Sequence, residues 1–209
     1  MDLYYTLTIY HQLAAVLHKL LLNPDHEAEL YISDSIAYSP GLLRRLSDAG
    51  LFSSVRVCRY SPVWPMGGEV THQNAATTVG PVLDKVADFC FGLLNRPIGE
   101  YENLHMFADH FPLGFSLAHK KIPYYYYEEA SGAHSRRHIL MDLLEKKNPF
   151  LYQVYTKTGA RGMADCIIRR NVDMNLQLEG FSDPISHDFS VLALLGRLDP
   201  GSVSSTLLT

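Results

Sequence analysis

Cysteine is scarce and never paired. Cys58, Cys90 and Cys166 are the only three, and none stands in a CxxC spacing. That excludes a zinc ribbon and a dithiol redox pair, and an odd count without a framework fits a reducing compartment. Basic charge is not in excess either. The formal net charge of −4 argues against a general nucleic-acid binder, which presents a basic surface. No apolar run approaches the roughly 20 residues of a membrane span. The start, Met1-Asp2-Leu3-Tyr4-Tyr5, lacks the basic region of a signal peptide. The expectation is a cytoplasmic protein. Nucleotide and hydrolase signatures are also missing: there is no GxGxxG, no GxxxxGK[ST] and no GxSxG. The first strand is not followed by a glycine that would let a pyrophosphate approach the backbone. No His, Asp or Glu cluster has metal-ligand spacing, so neither a metal nor a cofactor is expected.

What is present is an alternation. Leu3 to Thr8 is a strand pattern, followed at once by the helical stripe Leu13, Val16, Leu17, Leu20 and Leu21. Glu29 to Ser33 and Ser54 to Cys58 are further strands, separated by a helix from Pro40 to Ala49 that stops at Gly50. A loop from Ser61 to Thr78 carries the single tryptophan, Trp64, and loops of that length are often functional. A helix follows through Val79, Val82, Leu83, Val86, Phe89, Cys90, Leu93 and Leu94. Leu104 to Ala108 is a fourth strand, Pro112 to Lys120 a short helix, and Ile122 to Tyr127 a fifth strand. Five strands alternating with helices predict an α/β, three-layer, Rossmann-like domain with a mainly parallel sheet. The expected division is a Rossmann-like domain over 1–160, then a last strand, connection and linker over 161–209. In that last part Ala164 to Ile168 reads as a strand, Asn171 to His187 as a connection and Phe189 to Leu198 as a short helix. A flavodoxin-like or response-regulator-like domain has the same alternation, with strand order 2-1-3-4-5 in place of 3-2-1-4-5.

The stretch Ile122-Pro-Tyr-Tyr-Tyr-Tyr-Glu-Glu-Ala-Ser-Gly-Ala-His134 is the centre of the functional reading. It is an aromatic strand that ends on two adjacent carboxylates just before a helix. In an open parallel sheet, ligands bind outside the carboxyl ends of the strands. Acids before a helix also suit its dipole and caps, and both readings stand. A parallel sheet would bring Tyr10-His11, Asp34-Ser35, the Ser61–Thr78 loop, Asp109-His110 and Glu128-Glu129 to one edge. Acid–base work needs such groups within reach of one proton. Each also has a plainer reading: His11 as a cap or packed ring, Asp109 as a turn residue, His134 as a solvated first-turn residue. The tyrosine run can be a stacking platform for sugars. On a central strand, alternate rings pack under helices on both faces.

Thr8-Ile-Tyr-His-Gln-Leu, Asp109-His-Phe-Pro-Leu-Gly-Phe-Ser-Leu and Lys121-Ile-Pro-Tyr-Tyr-Tyr-Tyr-Glu-Glu-Ala-Ser-Gly resemble motifs of bacterial surface-polysaccharide glycosyltransferases. The family is the lipooligosaccharide sialyltransferase group and its capsular relatives, of two-Rossmann (GT-B) architecture. The resemblance spans roughly residues 3 to 198. It implies an inverting, metal-independent transfer of a sugar, sialic acid among the candidates, from a nucleotide-sugar donor to a bacterial surface glycan. Glu129 then corresponds to the general base, with Glu128 beside it. The candidate substrate-binding residues are His11, Tyr10, Asp109, His110, Ser131 and Gly132. Ala130 stands where the family has glycine, and there is no His-Pro dipeptide of the kind the family's second domain supplies. The resemblance therefore implies the acceptor-side, N-terminal half of such an enzyme, inactive by itself, with the donor held mainly by a second domain. It also implies work at the inner face of the membrane through a peripheral association. A non-catalytic α/β module that holds a glycan or a partner is the alternative.

Overall fold

A computed structural model describes residues 1–34, 40–59, 75–128, 137–176 and 183–198. Seven strands form one sheet, β1 Asp2–Thr6, β2 Ala28–Ser33, β3 Ser54–Cys58, β4 Asn103–Met106, β5 Tyr124–Tyr127, β6 Ile167–Val172 and β7 Ser186–Asp188. Every neighbouring pair is parallel. The spatial order is β3-β2-β1-β4-β5-β6-β7. This is the Rossmann-like order, and it excludes the flavodoxin-like alternative, in which β3 would lie between β1 and β4. The order reverses between β1 and β4, which makes the carboxyl ends of those two strands the topological switch point.

The helices are α1 Ile9–Leu21, α2 Pro40–Asp48, α3 Ala75–Gly92, α4 Pro112–His119, α5 Arg137–Lys147, α6 Pro149–Thr158 and α7 Val191–Leu195. On one face Tyr4, Leu30, Ile32 and Tyr127 pack with Ala14 and Leu17 of α1, Leu46 of α2 and Leu194 of α7. On the other, Leu3, Tyr5, Tyr124 and Tyr126 pack with Val86 and Cys90 of α3 and Leu113 and Leu117 of α4. Period-two alternation thus divides the tyrosine strand: Tyr124 and Tyr126 go under one helix layer, Tyr127 and partly buried Tyr125 under the other. The rings build the core, as expected for a strand covered on both sides. A satellite cluster joins Val79, Leu83, Phe115, Phe150 and Val154, so α6 rests on α3 and α4. Helix α6 did not figure in the sequence reading. Strands β6 and β7 continue the same sheet beyond residue 160.

Each face also encloses a carboxylate at the start of a strand. On the α3 side, Glu29 Oε2 accepts from the hydroxyls of Tyr31 at 3.0 Å and Tyr101 at 2.6 Å, and Oε1 accepts from Asn95 Nδ2 at 3.1 Å. On the α1 side, Asp2 opens a closed ring. Asp2 can only accept, so His105 Nε2, 3.4 Å away, carries the proton. His105 Nδ1 then accepts from Tyr127 Oη at 3.0 Å. The Tyr127 oxygen accepts from His18 Nε2 at 2.7 Å, and His18 Nδ1 accepts from Tyr4 at 2.8 Å. Asn23 Nδ2 closes the ring by donating to Tyr4 Oη at 3.1 Å and Asp2 Oδ2 at 2.6 Å. With both imidazoles neutral, this proton arrangement satisfies every bond of the ring. Burial, then the adjacent His105, holds the His18 imidazole down at about 3, against an opposing pull from Asp2. Burial also lowers His105, and Asp2 opposes it.

Candidate functional site at the carboxyl edge of the sheet

The turn after β1 is short because Thr8 caps α1 immediately. Thr8 Oγ1 accepts from His11 N at 3.1 Å, and His11 Nδ1 faces the amides of Thr8 and Leu7, each at 3.4 Å. This is a capping box with histidine in the place Glu or Gln usually takes. His11 is fully buried. Its ring organises the strand-to-helix turn and offers no exposed edge to a substrate.

Asp109 is likewise engaged by the fold. It is fully buried after β4. Its carboxylate accepts from Arg161 N at 2.6 Å, Gly162 N at 2.9 Å and Tyr124 Oη at 2.9 Å. Arg161 and Gly162 both have positive φ, which turns successive amides toward one anion, as in a backbone nest. Burial pushes the Asp109 carboxyl above its ordinary value, partly countered by Gly162, His110, Tyr124 and Arg161. Gly114 lets α4 pass this turn: a Cβ there would sit 2.3 Å from the Asp109 carbonyl oxygen. The Asp-His-Phe-Pro-Leu-Gly stretch is thus a packing device that ties β4 to the turn after α6.

Among the described residues, Tyr10, Asp34, His110, Glu128 and Asp173 remain at the carboxyl edge. Tyr10, in the first turn of α1, is 47% exposed. Its phenol lies above its ordinary value because of burial, then the negative charges of Asp173 and Glu128. Loops after β1, β5 and β6 therefore share one electrostatic neighbourhood. Glu128 extends the ladder by one residue, its amide donating to Asn171 O at 2.9 Å. Its side chain is half-buried, as are those of Asp173 and His110. His110 lies against Phe111, ring centroids 4.6 Å apart. Glu129, Ser131, Gly132 and His134 lie outside the described residues, as do Ser35 and residues 61–74 of the long loop.

Two residues join this edge that the sequence reading did not nominate. Asp173 follows β6, and it could be found only once β6 was placed beside β5. Gln12 is buried on the first turns of α1, and its carbonyl Oε1 has no hydrogen-bond partner among the described residues. A buried acceptor of that kind costs about 1–3 kcal/mol until a donor reaches it, which makes Gln12 a candidate ligand contact. At the amino ends of β5 and β6, on the opposite side, a cavity of about 390 Å³ is lined by Lys121, Lys157, Thr158, Asp165 and Cys166. Burial pushes the Cys166 thiol up to about 11, so it stays protonated at neutral pH and is no nucleophile.

Among the described residues, no helix is long and apolar enough to cross a membrane. The chain matches no family model and no curated protein.

Proposed function

We propose that the chain is the acceptor-side part of an inverting, metal-independent glycosyltransferase that moves a sugar from a nucleotide sugar to a bacterial surface glycan. The observation that carries the reading is that Tyr10, Glu128 and Asp173 follow β1, β5 and β6 at the carboxyl edge, near enough for the two carboxylates to act on the Tyr10 phenol. An inverting transfer needs a carboxylate beside the incoming hydroxyl while the sugar–phosphate bond breaks. Glu129 is the proposed base, and Glu128 with Asp173 keeps that edge negative. Tyr10 and His110, both partly accessible, are the proposed acceptor contacts. Sialic acid is the sugar the resemblance favours, and the inner face of the membrane is the place it implies.

The test is transfer from nucleotide-activated sialic acid to lipooligosaccharide by the enzyme in which this acceptor-side part is joined to a donor-binding domain, measured with Glu129→Gln and Glu128→Gln at saturating donor. Loss of a general base costs about a hundredfold to ten-thousandfold. The expected result is that loss in Glu129→Gln and a smaller loss in Glu128→Gln. If that enzyme turns over no nucleotide sugar, yet this chain binds glycans through Tyr10, the non-catalytic binding module is the correct reading. That alternative draws on the engagement of His11 and Asp109 in the fold, which leaves fewer groups for chemistry.

A further inference from the structure

The opposite edge of the sheet carries a second cluster. Asp2 Oδ2, His26 Nδ1 and Glu102 Oε2 lie within 4.8 Å of one another. His26 Nδ1 is 3.8 Å from each of the two carboxylate oxygens. Asp2 is fully buried, and its partners within the fold are the neutral donors Asn23, Asn103 and His105. Lys19 acts on it only through space, since its ammonium donates to the carbonyls of Asn23 and Pro24. Buried carboxylates are normally paired with a cation or bound to a metal. Here the charge is held in place and oriented, and the exposed His26 imidazole and Glu102 carboxylate cover it on the solvent side.

We propose that Asp2, His26 and Glu102 form a site for a first-row divalent cation of the zinc type. One imidazole and two carboxylates are a borderline donor set that suits zinc, with a fourth position left to water. Tetrahedral bonds of about 2.0–2.1 Å place donors about 3.3 Å apart. A contraction from 3.8 Å is within reach of Glu102 and His26, whose side chains are 65% and 50% exposed. The Met1 ammonium sits 3.5 Å from Glu102 Oε1, which leaves Oε2 turned to His26. Asn103 holds Asp2 Oδ1 at 2.9 Å, the role that outer partners play at metal sites, and on Oδ2 the 3.4 Å contact from His105 is the weak bond a cation would displace beside that of Asn23 at 2.6 Å. Entry is from solvent, past the two exposed ligands.

The test is calorimetric titration of the full chain with ZnCl₂, repeated with MgCl₂, on wild type, His26→Ala, Glu102→Gln and Asn103→Ala. The first two changes are at exposed positions and leave the fold intact, which circular dichroism verifies. The expected result is one zinc per chain, binding at least tenfold weaker in His26→Ala and in Glu102→Gln. Loss of an outer partner typically costs about 10–100-fold in metal affinity, so Asn103→Ala should weaken binding with no ligand removed. With ten histidines in the chain, zinc could bind elsewhere; an isotherm unchanged in His26→Ala and Glu102→Gln would assign it there and overturn the proposal. Absence of saturable zinc binding overturns it too, as does tighter binding of magnesium than of zinc.

Discussion

His18→Gln should flatten the acid sensitivity of this protein. In the ring a neutral His18 accepts at Nδ1 from Tyr4 and donates from Nε2 to Tyr127, and burial favours that neutral form. Its folded value near 3 lies below the ordinary 6.5. Between those values the unfolded chain binds a proton that the folded chain does not, so stability is present above about 6.5 and is lost as pH falls. Each unit of difference is about 1.36 kcal/mol. From pH 7 to pH 5 the loss from His18 alone is therefore about 2 kcal/mol. It continues toward pH 3, with His105 adding in the same direction. Urea denaturation at pH 7, 6 and 5, in EDTA to remove divalent ions, measures it. Glutamine leaves part of the ring unmatched, so His18→Gln should cost about 1–3 kcal/mol at pH 7 while removing about 2 kcal/mol of the drop to pH 5. Equal slopes for wild type and variant would refute the proton assignment. So would a wild-type stability that is flat between pH 7 and 5.

Three further outcomes follow from contacts away from the ring. Gly114→Ala should lower the melting temperature sharply or abolish soluble expression, because its Cβ would lie 2.3–2.6 Å from the Asp109 backbone and overpacking costs about 1–3 kcal/mol or more. Asp109→Asn keeps the volume but turns one acceptor into a donor facing the amide of Arg161 or Gly162; a loss of about 2–4 kcal/mol is expected by urea denaturation. Glu29→Gln does the same to the acceptors of Tyr31 and Tyr101, and should cost about 1–3 kcal/mol. Near-normal stability in Glu29→Gln would mean the two phenols find other acceptors.

The alternation of strands and helices was legible because each strand through β5 carries an apolar or aromatic run of the right length. The tyrosine strand was the clearest case: period two alone assigns Tyr124 and Tyr126 to one face and Tyr127 to the other. Helix α6 was within reach of the sequence, since Asn148-Pro149 and Gly159 are start and stop signals and Phe150, Val154, Tyr155 and Thr158 share one buried side. Strand β7 was not, because Ser186-His187-Asp188 has no strand propensity and forms only by adding to β6. His11 was ambiguous because a capping box is recognised by Glu or Gln at that position. The ring through residues 2, 4, 18, 23, 105 and 127 has no spacing to detect. It exists only after three parallel strands and one helix are in register.

The two edges of the sheet use their polar groups differently, and that difference separates structure from function here. At the amino edge, Glu29 and Asp2 are fully buried or nearly so, with both oxygens of each accepting from named donors. Saturated groups of this kind fix register, because shifting β1, β2 or β4 by one residue would move each carboxylate to the opposite face. A ligand gains little from groups whose bonds are already made. At the carboxyl edge the balance is reversed. His11 and Asp109 are absorbed by the turn geometry, while Tyr10 keeps nearly half its surface in solvent and Gln12 keeps a buried acceptor open to a donor. Three loops from β1, β5 and β6 deliver these groups and two carboxylates to the switch point. Under the proposed function, binding energy for a substrate comes from that edge. The corner of Asp2 is the exception at the amino edge, since a cation arriving past exposed His26 and Glu102 would take the Oδ2 lone pair that the long 3.4 Å contact from His105 holds only weakly.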